Sequence, residues 1–171
     1  MQDTTLSCYI DGLFGYAMVL TRNPAEAADL VQETYVRALK AKESLRPSSN
    51  VKSWLFTILR NIRLNQLRHE RIAPKVSEIE IDASVADGTI ERPQDPHEIY
   101  VRKVDRDQLR EAIQKLSPEF REIIILRELE SLSYKEIAET VQIPIGTVMS
   151  RLARGREMLR AILVKQLNGE V

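Results

Sequence analysis

Several residue types that mark whole classes of protein are scarce in this chain of 171 residues. The single cysteine, Cys8, excludes an intrachain disulfide and favours simple packing in a reducing compartment. No apolar run approaches the roughly 18 residues that a membrane span needs. Residues 1–9 lack the basic and then apolar pattern of a signal peptide, so we expect a cytoplasmic protein.

The patterns of common catalytic and metal sites are also missing. The sequence has no phosphate-binding glycine loop and no CxxC pair, and its two histidines, His69 and His97, are isolated. The carboxylates between Glu111 and Glu122 lie in an amphipathic helix pattern, which we interpret as a solvated surface. We therefore predict a protein that is not an enzyme, with no catalytic residue, no metal and no cofactor.

Glycine and aromatic residues are few, with six glycines and only 5% aromatic residues. A core must therefore be built mainly from Leu, Ile, Val and Ala, which suits packed helices. We predict an all-α fold of two small helical domains, over residues 1–71 and 99–171, joined by an acidic flexible linker over residues 72–98.

The net charge is zero, but the two signs are segregated along the chain. Residues 37–75 carry ten Lys and Arg against two Glu, a block that can neutralise phosphates. A solvated helix face would have the same composition. Residues 72–98 carry seven acids against Lys75 and Arg92, together with three prolines. This composition predicts a linker, with a short strand over residues 76–81 as the alternative.

Three helices are predicted before the linker. The apolar residues 13–20 predict the first helix. The second helix should begin at Asn23 and Pro24, because asparagine is a common N-cap and proline fits the first helical position. A third, basic helix is predicted over residues 51–71. The second helix should bury Ala27, Leu30, Val31, Thr34 and Ala38. The third should bury Val51, Trp54, Leu55, Ile58, Leu59 and Ile62.

Residues 133–158 predict a helix-turn-helix after two further helices. The first is described by Val104, Gln108, Leu109, Ala112, Ile113 and Leu116, and the second begins at Ser117 and Pro118. Ser133 and Glu136 have the spacing of a capping box, a turn follows over residues 141–144, and a last helix covers residues 145–167. The small core of the motif should contain Ile137, Val141, Ile143, Val148 and Leu152, with Ala138 at the helix crossing.

In a helix-turn-helix, the first residues of the second helix enter the major groove of DNA. The candidates for this role are Thr147, Met149, Ser150, Arg151 and Arg154. Arginine can read guanine edges or hold phosphates. An ordinary helical hairpin with a basic solvent face is the alternative.

Four segments resemble one family. LSYKEIAE (132–139) and GTVMSRLARGRE (146–157) resemble region 4 of the extracytoplasmic function (ECF) sigma factors of the sigma-70 family. DLVQET (29–34) and WLFTILRN (54–61) resemble its region 2. The resemblance implies a sigma factor that binds core RNA polymerase, reads the minus-35 element as duplex DNA and melts the minus-10 element.

The resemblance also implies roles for individual residues. Asp29, Gln32 and Glu33 would dock on the β′ clamp helices of core RNA polymerase, whose β flap is a second contact. Thr147, Ser150, Arg151 and Arg154 would contact the minus-35 element. Met149 lies in the same stretch but departs from the family, which usually carries Arg or Lys there. Contacts to the minus-10 element would come from Arg46, Ser49, Asn50, Arg60, Asn61 and Arg63. Promoter DNA and an anti-sigma factor are the other expected partners.

Two other binding functions remain open at this stage. A stand-alone helix-turn-helix repressor or activator would need a dimerisation or ligand domain, and the sequence has no candidate for either. A structural adaptor on polymerase would keep Asp29, Gln32 and Glu33 but would not need a basic last helix.

Overall fold

The computed structural model describes residues 8–41, 50–72 and 96–168, and all regular structure in these ranges is helical. The helices are α1 (Ile10–Thr21), α2 (Pro24–Ala41), α3 (Val51–Ile72), α4 (Pro96–Lys115), α5 (Pro118–Ile124), α6 (Tyr134–Val141) and α7 (Ile145–Leu167), and α5 continues into a π-helical turn, Ile125–Leu129. The all-α prediction is confirmed. Among the described helices, none combines the length and the hydropathy that a transmembrane span requires.

Local sequence signals place most helix ends. Asn23 caps α2, because its Oδ1 accepts hydrogen bonds from the backbone N–H groups of Ala25 (2.9 Å) and Glu26 (3.3 Å). Helix α4 begins at Pro96. Proline is favoured in the first helical turn, where its missing N–H has no intrahelical partner. The rest of the predicted linker, residues 73–95, lies outside the described residues.

Helices α1, α2 and α3 form an N-terminal helical unit. All five residues of the stripe predicted for α2 are buried. The prediction for α3 was less accurate, because Phe56 is fully buried whereas Trp54 is only half-buried. Phe56 packs against Tyr16 of α1 with 5.2 Å between the ring centroids. Phe56 is a core residue because it packs against a ring on another helix. The spacing of apolar residues within α3 does not indicate this contact.

Helices α4 to α7 form a C-terminal helical unit. Helix α7 crosses α5 closely at Gly155, where an added Cβ would lie 3.1 Å from Cγ1 of Ile124. The buried guanidinium of Arg121 donates to the carbonyl oxygens of Ile113 (3.1 Å) and Leu116 (2.6 Å) and so satisfies the end of α4. Leu109, predicted on the buried face of α4, is 37% exposed.

The two units pack directly against each other. Helix α3 contacts α6, and α1 contacts both α5 and the π-helical turn. Buried side chains from both units, such as Leu55 and Ile137, belong to one continuous hydrophobic cluster. This contact decides which of the predicted DNA-binding side chains are accessible.

Candidate nucleic-acid interface

The predicted helix-turn-helix consists of α6, a short turn and α7. Ser133 forms the predicted capping box with Glu136: its backbone N–H donates to Glu136 Oε2 (2.7 Å), and its Oγ accepts from the Glu136 backbone N–H (3.3 Å). Gln142 ends α6 with φ 58°, in the left-handed region that favours glycine. Ile137, Val141, Val148 and Leu152 are buried, as predicted, whereas Ile143 and Ala138 are half-buried.

The N-terminal half of α7 presents most of the predicted minus-35 residues to solvent. Met149, Ser150 and Arg154 are exposed, and Thr147 is half-buried. Their helix is held from behind by Val148 and Leu152, which lie in the core. Arg151 is half-buried and forms a 3.0 Å ion pair with Glu119 of α5. A DNA contact through Arg151 would therefore exchange this carboxylate for a phosphate or a base edge.

The predicted polymerase-binding residues share one outward face of α2. Asp29 and Gln32 are exposed, on the side opposite the buried stripe. Glu33 is half-buried and pairs with Arg37 one helical turn away, at 2.7 Å. The two side chains are 50% and 44% exposed, and a pair this open to solvent contributes little stability, so Glu33 remains available to a basic partner surface.

The predicted minus-10 residues are not brought together on one open surface. Arg46 and Ser49 lie outside the described residues. Asn61 is half-buried on α3. The side chain of Arg63 is only 13% exposed and lies 3.3 Å from a carboxylate oxygen of Glu70 and 3.7 Å from one of Glu26. The structure therefore holds Arg63 between helices of its own unit.

Both the oxygen and the nitrogen of the Asn50 side-chain amide form hydrogen bonds. Its Oδ1 caps α3 by accepting from the backbone N–H groups of Lys52 (3.0 Å) and Ser53 (3.4 Å). Its Nδ2 donates to the Glu136 carboxylate across the boundary between the two units. Burial raises the pKa of Glu136, but hydrogen bonds from Ser133 and Asn50 outweigh burial, and the net pKa lies below the ordinary value.

Arg60 is held by the C-terminal unit as well. Its Nε lies 2.8 Å from Oε1 of Glu122 on α5, and the two side chains are 15% and 12% exposed. The Tyr16 hydroxyl donates to the same oxygen at 2.7 Å. Burial and then the Glu122 carboxylate raise the pKa of Tyr16 well above its ordinary value, which keeps the phenol protonated as a donor. The prediction of a solvated Glu122 was wrong, because α1 and α3 cover it.

Two further contacts continue this boundary along α3. Lys52 Nζ lies 2.9 Å from Oε2 of Glu130 and donates to the Glu130 backbone carbonyl at 2.7 Å. The hydroxyl oxygens of Thr57 and Thr140 are 3.1 Å apart. We call these contacts the interunit contact: Asn50–Glu136, Lys52–Glu130, Thr57–Thr140 and the group Tyr16–Arg60–Glu122.

The sequence did not predict that Glu122, Glu130 or Glu136 contacts the N-terminal unit. The one available signal was Tyr16, a polar aromatic residue within the apolar stretch that predicts α1. A buried tyrosine usually needs a hydrogen-bond partner. The partner, Glu122, lies 106 residues away, so only the tertiary structure identifies it.

Comparison with known proteins places both units in one family. Residues 6–72 match the family model "Sigma-70 region 2", and residues 106–159 match "Sigma-70, region 4". The chain is 34% identical over 154 residues to the ECF RNA polymerase sigma factor EcfG of Rhodopseudomonas palustris, covering 90% of this chain and 80% of that protein. It is 30% identical to the RNA polymerase sigma factor YlaC of Bacillus subtilis, covering 95% of this chain and 91% of that protein.

Three further proteins are similar to this chain in sequence, in structure or in both. The ECF sigma factor SigE of Mycolicibacterium smegmatis is 32% identical, and this chain spans 62% of its length. The structure of the sigma factor RpoE in complex with the anti-sigma factor NepR from Bartonella quintana matches with a TM-score of 0.72 and 30% identity over 94% of both chains. CnrH, solved with the cytosolic domain of CnrY, shares the fold at a TM-score of 0.60 and 21% identity. The chain therefore belongs to the ECF RNA polymerase sigma factors of the sigma-70 family.

Proposed function

We propose that this chain binds core RNA polymerase and directs transcription initiation at promoters whose minus-35 and minus-10 elements it recognises. The observation that carries the proposal is that Met149, Ser150 and Arg154 of α7 are exposed, in a chain that has both sigma regions. A second surface, the polar face of α2, supports binding to polymerase. The chain acts through binding energy, and polymerase carries out the chemistry.

Recognition of the minus-35 element uses duplex DNA. The N-terminal half of α7 enters the major groove, because α6 and the core residues behind it hold the helix with this end outward. Ser150 and Arg154 are exposed there and bear donors for phosphates and base edges. Met149 is the apolar member of the same surface and is 53% exposed.

Recognition of the minus-10 element uses separated strands. Asn61 on α3 has an amide that can pair with the edge of a base taken out of the stack. Arg60 lies on the same helix and offers a cation to the DNA. Asn50 lies just before the helix and offers a second amide. Free energy from these contacts offsets the cost of unstacking, so strand separation needs no covalent step by this chain.

Two protein partners follow from the surfaces and the relatives. The polar face of α2, with Asp29, Gln32 and Glu33, suits a basic surface such as the β′ clamp helices of polymerase. The β flap would contact the C-terminal unit. The RpoE relative was solved with an anti-sigma factor, and we propose a partner of this kind here. Such a partner would compete with core polymerase for these surfaces.

Run-off transcription with core RNA polymerase tests the proposed function. The templates are genomic fragments, including the region upstream of the gene for this chain. We expect discrete transcripts that require the chain and that Arg154→Ala weakens by about 1–3 kcal/mol of promoter binding. Arg160→Ala is the matched control, because Arg160 is exposed near the other end of α7.

A binding measurement separates polymerase recognition from promoter choice. Asp29→Lys should abolish co-migration of the chain with core RNA polymerase on a sizing column. Asp107→Lys reverses an exposed charge on α4 and should leave co-migration intact. If the unmodified chain neither co-migrates with core polymerase nor supports any transcript, the proposed function is wrong.

A further inference from the structure

Three apolar residues lie in line along the surface of α7 that we assign to minus-35 DNA. They are Ile145, Met149 and Ala153, spaced by four residues, and we call them the apolar row. We propose that the apolar row reads the C5-methyl groups of pyrimidine bases, so that the minus-35 element presents thymine to it and not guanine. The inference rests on the proposed function and names the base group that α7 selects.

The apolar row is open to solvent. Ile145 is 49% exposed, Met149 is 53% exposed, and Ala153 is exposed as well. Residues four apart are neighbours on a helix surface, so the three side chains form one strip. Val148 and Leu152 supply the buried contacts of the same turns, so the core does not need the strip. Contiguous apolar surface of this kind indicates a binding site more often than scattered apolar residues do.

Two arginines of the same helix are held by carboxylates of the C-terminal unit. Arg151 lies 3.0 Å from Glu119 of α5. Arg156 donates from Nε (2.8 Å) and Nη2 (2.6 Å) to one carboxylate oxygen of Glu128, in the π-helical turn. Each guanidinium therefore lies against α5 or its continuation. The apolar row has no donor of its own, so it can offer a base edge only apolar contact.

Arg154 lies on a different side of α7 from the apolar row. It follows Met149 by five residues, which places it about 140° further around the helix at 3.6 residues per turn. When the apolar row faces the base edges, Arg154 is turned toward the DNA backbone, where a cation neutralises a phosphate. The helix thus separates contacts that position it on DNA from contacts that select a base.

Short side chains beside the apolar row leave space for the base pairs. An added Cβ at Gly146 would meet nothing within 4 Å, so no packing contact in the described structure requires glycine there. Ser150, one turn further along, is exposed. Because residues 146 and 150 are small, the helix can approach the floor of the major groove until the longer Ile145 and Met149 reach the bases.

The chemistry of the major groove then decides which base suits the apolar row. Thymine presents a C5-methyl group there, whereas guanine presents the acceptors N7 and O6. An apolar side chain gains contact area against the methyl group, but it would remove water from the guanine acceptors without replacing the hydrogen bonds. A 5-methylcytosine base carries the same methyl group at the same ring position. The shared recognition group is therefore the pyrimidine C5-methyl.

The spacing of the apolar row allows more than one methyl contact. Ile145 and Met149 are about 6 Å apart along the helix axis, at a rise of ~1.5 Å per residue. Successive bases of one strand are about 3.4 Å apart along the duplex axis. The two side chains can therefore reach methyl groups on neighbouring base pairs, and we expect thymines next to each other in the minus-35 element.

Uracil in place of thymine tests the inference with the native chain. Uracil lacks the C5-methyl group and keeps the O4 acceptor. The probe is the promoter fragment that gives the strongest run-off transcript, bound by the chain assembled with core RNA polymerase. Replacement within the minus-35 element should weaken binding about fourfold for each methyl group contacted. The same number of replacements between the two elements is the control and should leave affinity unchanged.

Two results of this test would overturn the inference. One is equal affinity for the thymine and uracil forms of the minus-35 element. The other is a minus-35 element built from G·C pairs alone, which would present no thymine to α7.

Cytosine and 5-methylcytosine separate the methyl group from the rest of thymine. A thymine whose replacement by uracil weakens binding is changed to either base, with guanine opposite. We expect 5-methylcytosine to bind about fourfold more tightly than cytosine. This gain would show that α7 accepts the methyl group from either base, and a loss with uracil that 5-methylcytosine does not recover would assign the contact to thymine. Equal affinity for all four pyrimidines would overturn the inference.

Variants of Met149 test whether the apolar row is the reader. Met149→Ala should reduce the discrimination between thymine and uracil. Met158→Ala is the matched control, because Met158 is 41% exposed further along α7 and should keep the native discrimination. Met149→Arg should prefer guanine by about tenfold at a position where the native chain prefers thymine, because arginine pairs with O6 and N7 of guanine. Equal effects of Met149→Ala and Met158→Ala, or an unchanged thymine preference in Met149→Arg, would overturn the inference.

Failure of the inference can be distinguished from failure of the proposed function. Promoter-specific transcripts whose minus-35 affinity does not depend on C5-methyl groups would overturn the inference and leave the proposed function intact. Absence of transcripts on every template, together with absence of binding to core polymerase, would contradict the proposed function and the inference with it.

Discussion

The capping box of α6 gives the most specific prediction about stability. Ser133→Ala removes the bond in which Oγ accepts from the Glu136 N–H (3.3 Å) and the one in which Oγ donates to Glu136 Oε2 (2.7 Å). It keeps the backbone N–H of residue 133 as a donor to the same carboxylate (2.7 Å). The first lost bond is long, so most of the effect comes from the hydroxyl that donates to a charged acceptor.

We expect Ser133→Ala to lower the free energy of unfolding by about 1 kcal/mol, the usual cost of losing a cap residue. For a chain of this size, that corresponds to a fall of about 2–4 °C in Tm. Thermal unfolding followed by circular dichroism at neutral pH measures the change. Ser150→Ala is the control, since Ser150 lies in the exposed face of α7 and should change Tm very little.

The same variant has a predictable dependence on pH. The folded-state pKa of Glu136 is lowered, so its carboxylate stabilises the fold above the ordinary glutamate pKa. That stabilisation is lost as the pH falls through the lowered folded-state pKa. The difference between the native chain and Ser133→Ala should therefore shrink in acid. A difference that grows on acidification, or an unchanged Tm at neutral pH, would refute this account of the cap.

Three further predictions concern the helix-turn-helix. Gln142→Gly should raise the free energy of unfolding by up to about 1 kcal/mol, because φ 58° is strained for a residue with a Cβ; thermal unfolding checks it, and a lower Tm would contradict it. Gly155→Leu should lower the free energy of unfolding by about 1–3 kcal/mol or more and weaken minus-35 binding. The reason is that a Cβ at residue 155 would already lie 3.1 Å from Ile124 Cγ1 and 3.5 Å from Phe120 Cβ. An unchanged Tm in this variant would refute the close crossing of the two helices. Met149 should contact a thymine methyl group, so uracil in place of thymine in the minus-35 duplex should weaken binding about fourfold, from about 0.8 kcal/mol per methyl; equal losses for the native chain and Met149→Ala would contradict that contact.

Local patterns in the sequence were sufficient to predict the helices and the motif. The apolar residues of α2 recur with the helical period. The structure buries the same five residues because they form one face of the helix, and that face packs against the core. Ser133 and Glu136 are three residues apart, which lets the backbone and side-chain bonds of the cap form within one turn. The family was predicted from such short-range patterns and is confirmed by the matches to both regions.

Errors in the prediction arose where one helix meets another. Phe56 was left out of the core because its partner ring, Tyr16, belongs to a different helix. Glu122 looked solvated because its helix gives no sign of the arginine and tyrosine that cover it. Roles in DNA and polymerase binding, carried over from the resemblance, stay predictions that the variants above can test.

The sequence by itself determined the helical fold, the ends of most helices, the helix-turn-helix and the family, because all of these depend on residues within a few turns of each other or on long matching segments. Only the tertiary structure decided how the two units meet, and so which side chains assigned to DNA are exposed. Arg60 is held by Glu122, 62 residues away, and Asn50 by Glu136, 86 residues away. The physical reason is that a charge pair across two helices depends on their relative position, which no periodic pattern within either helix records.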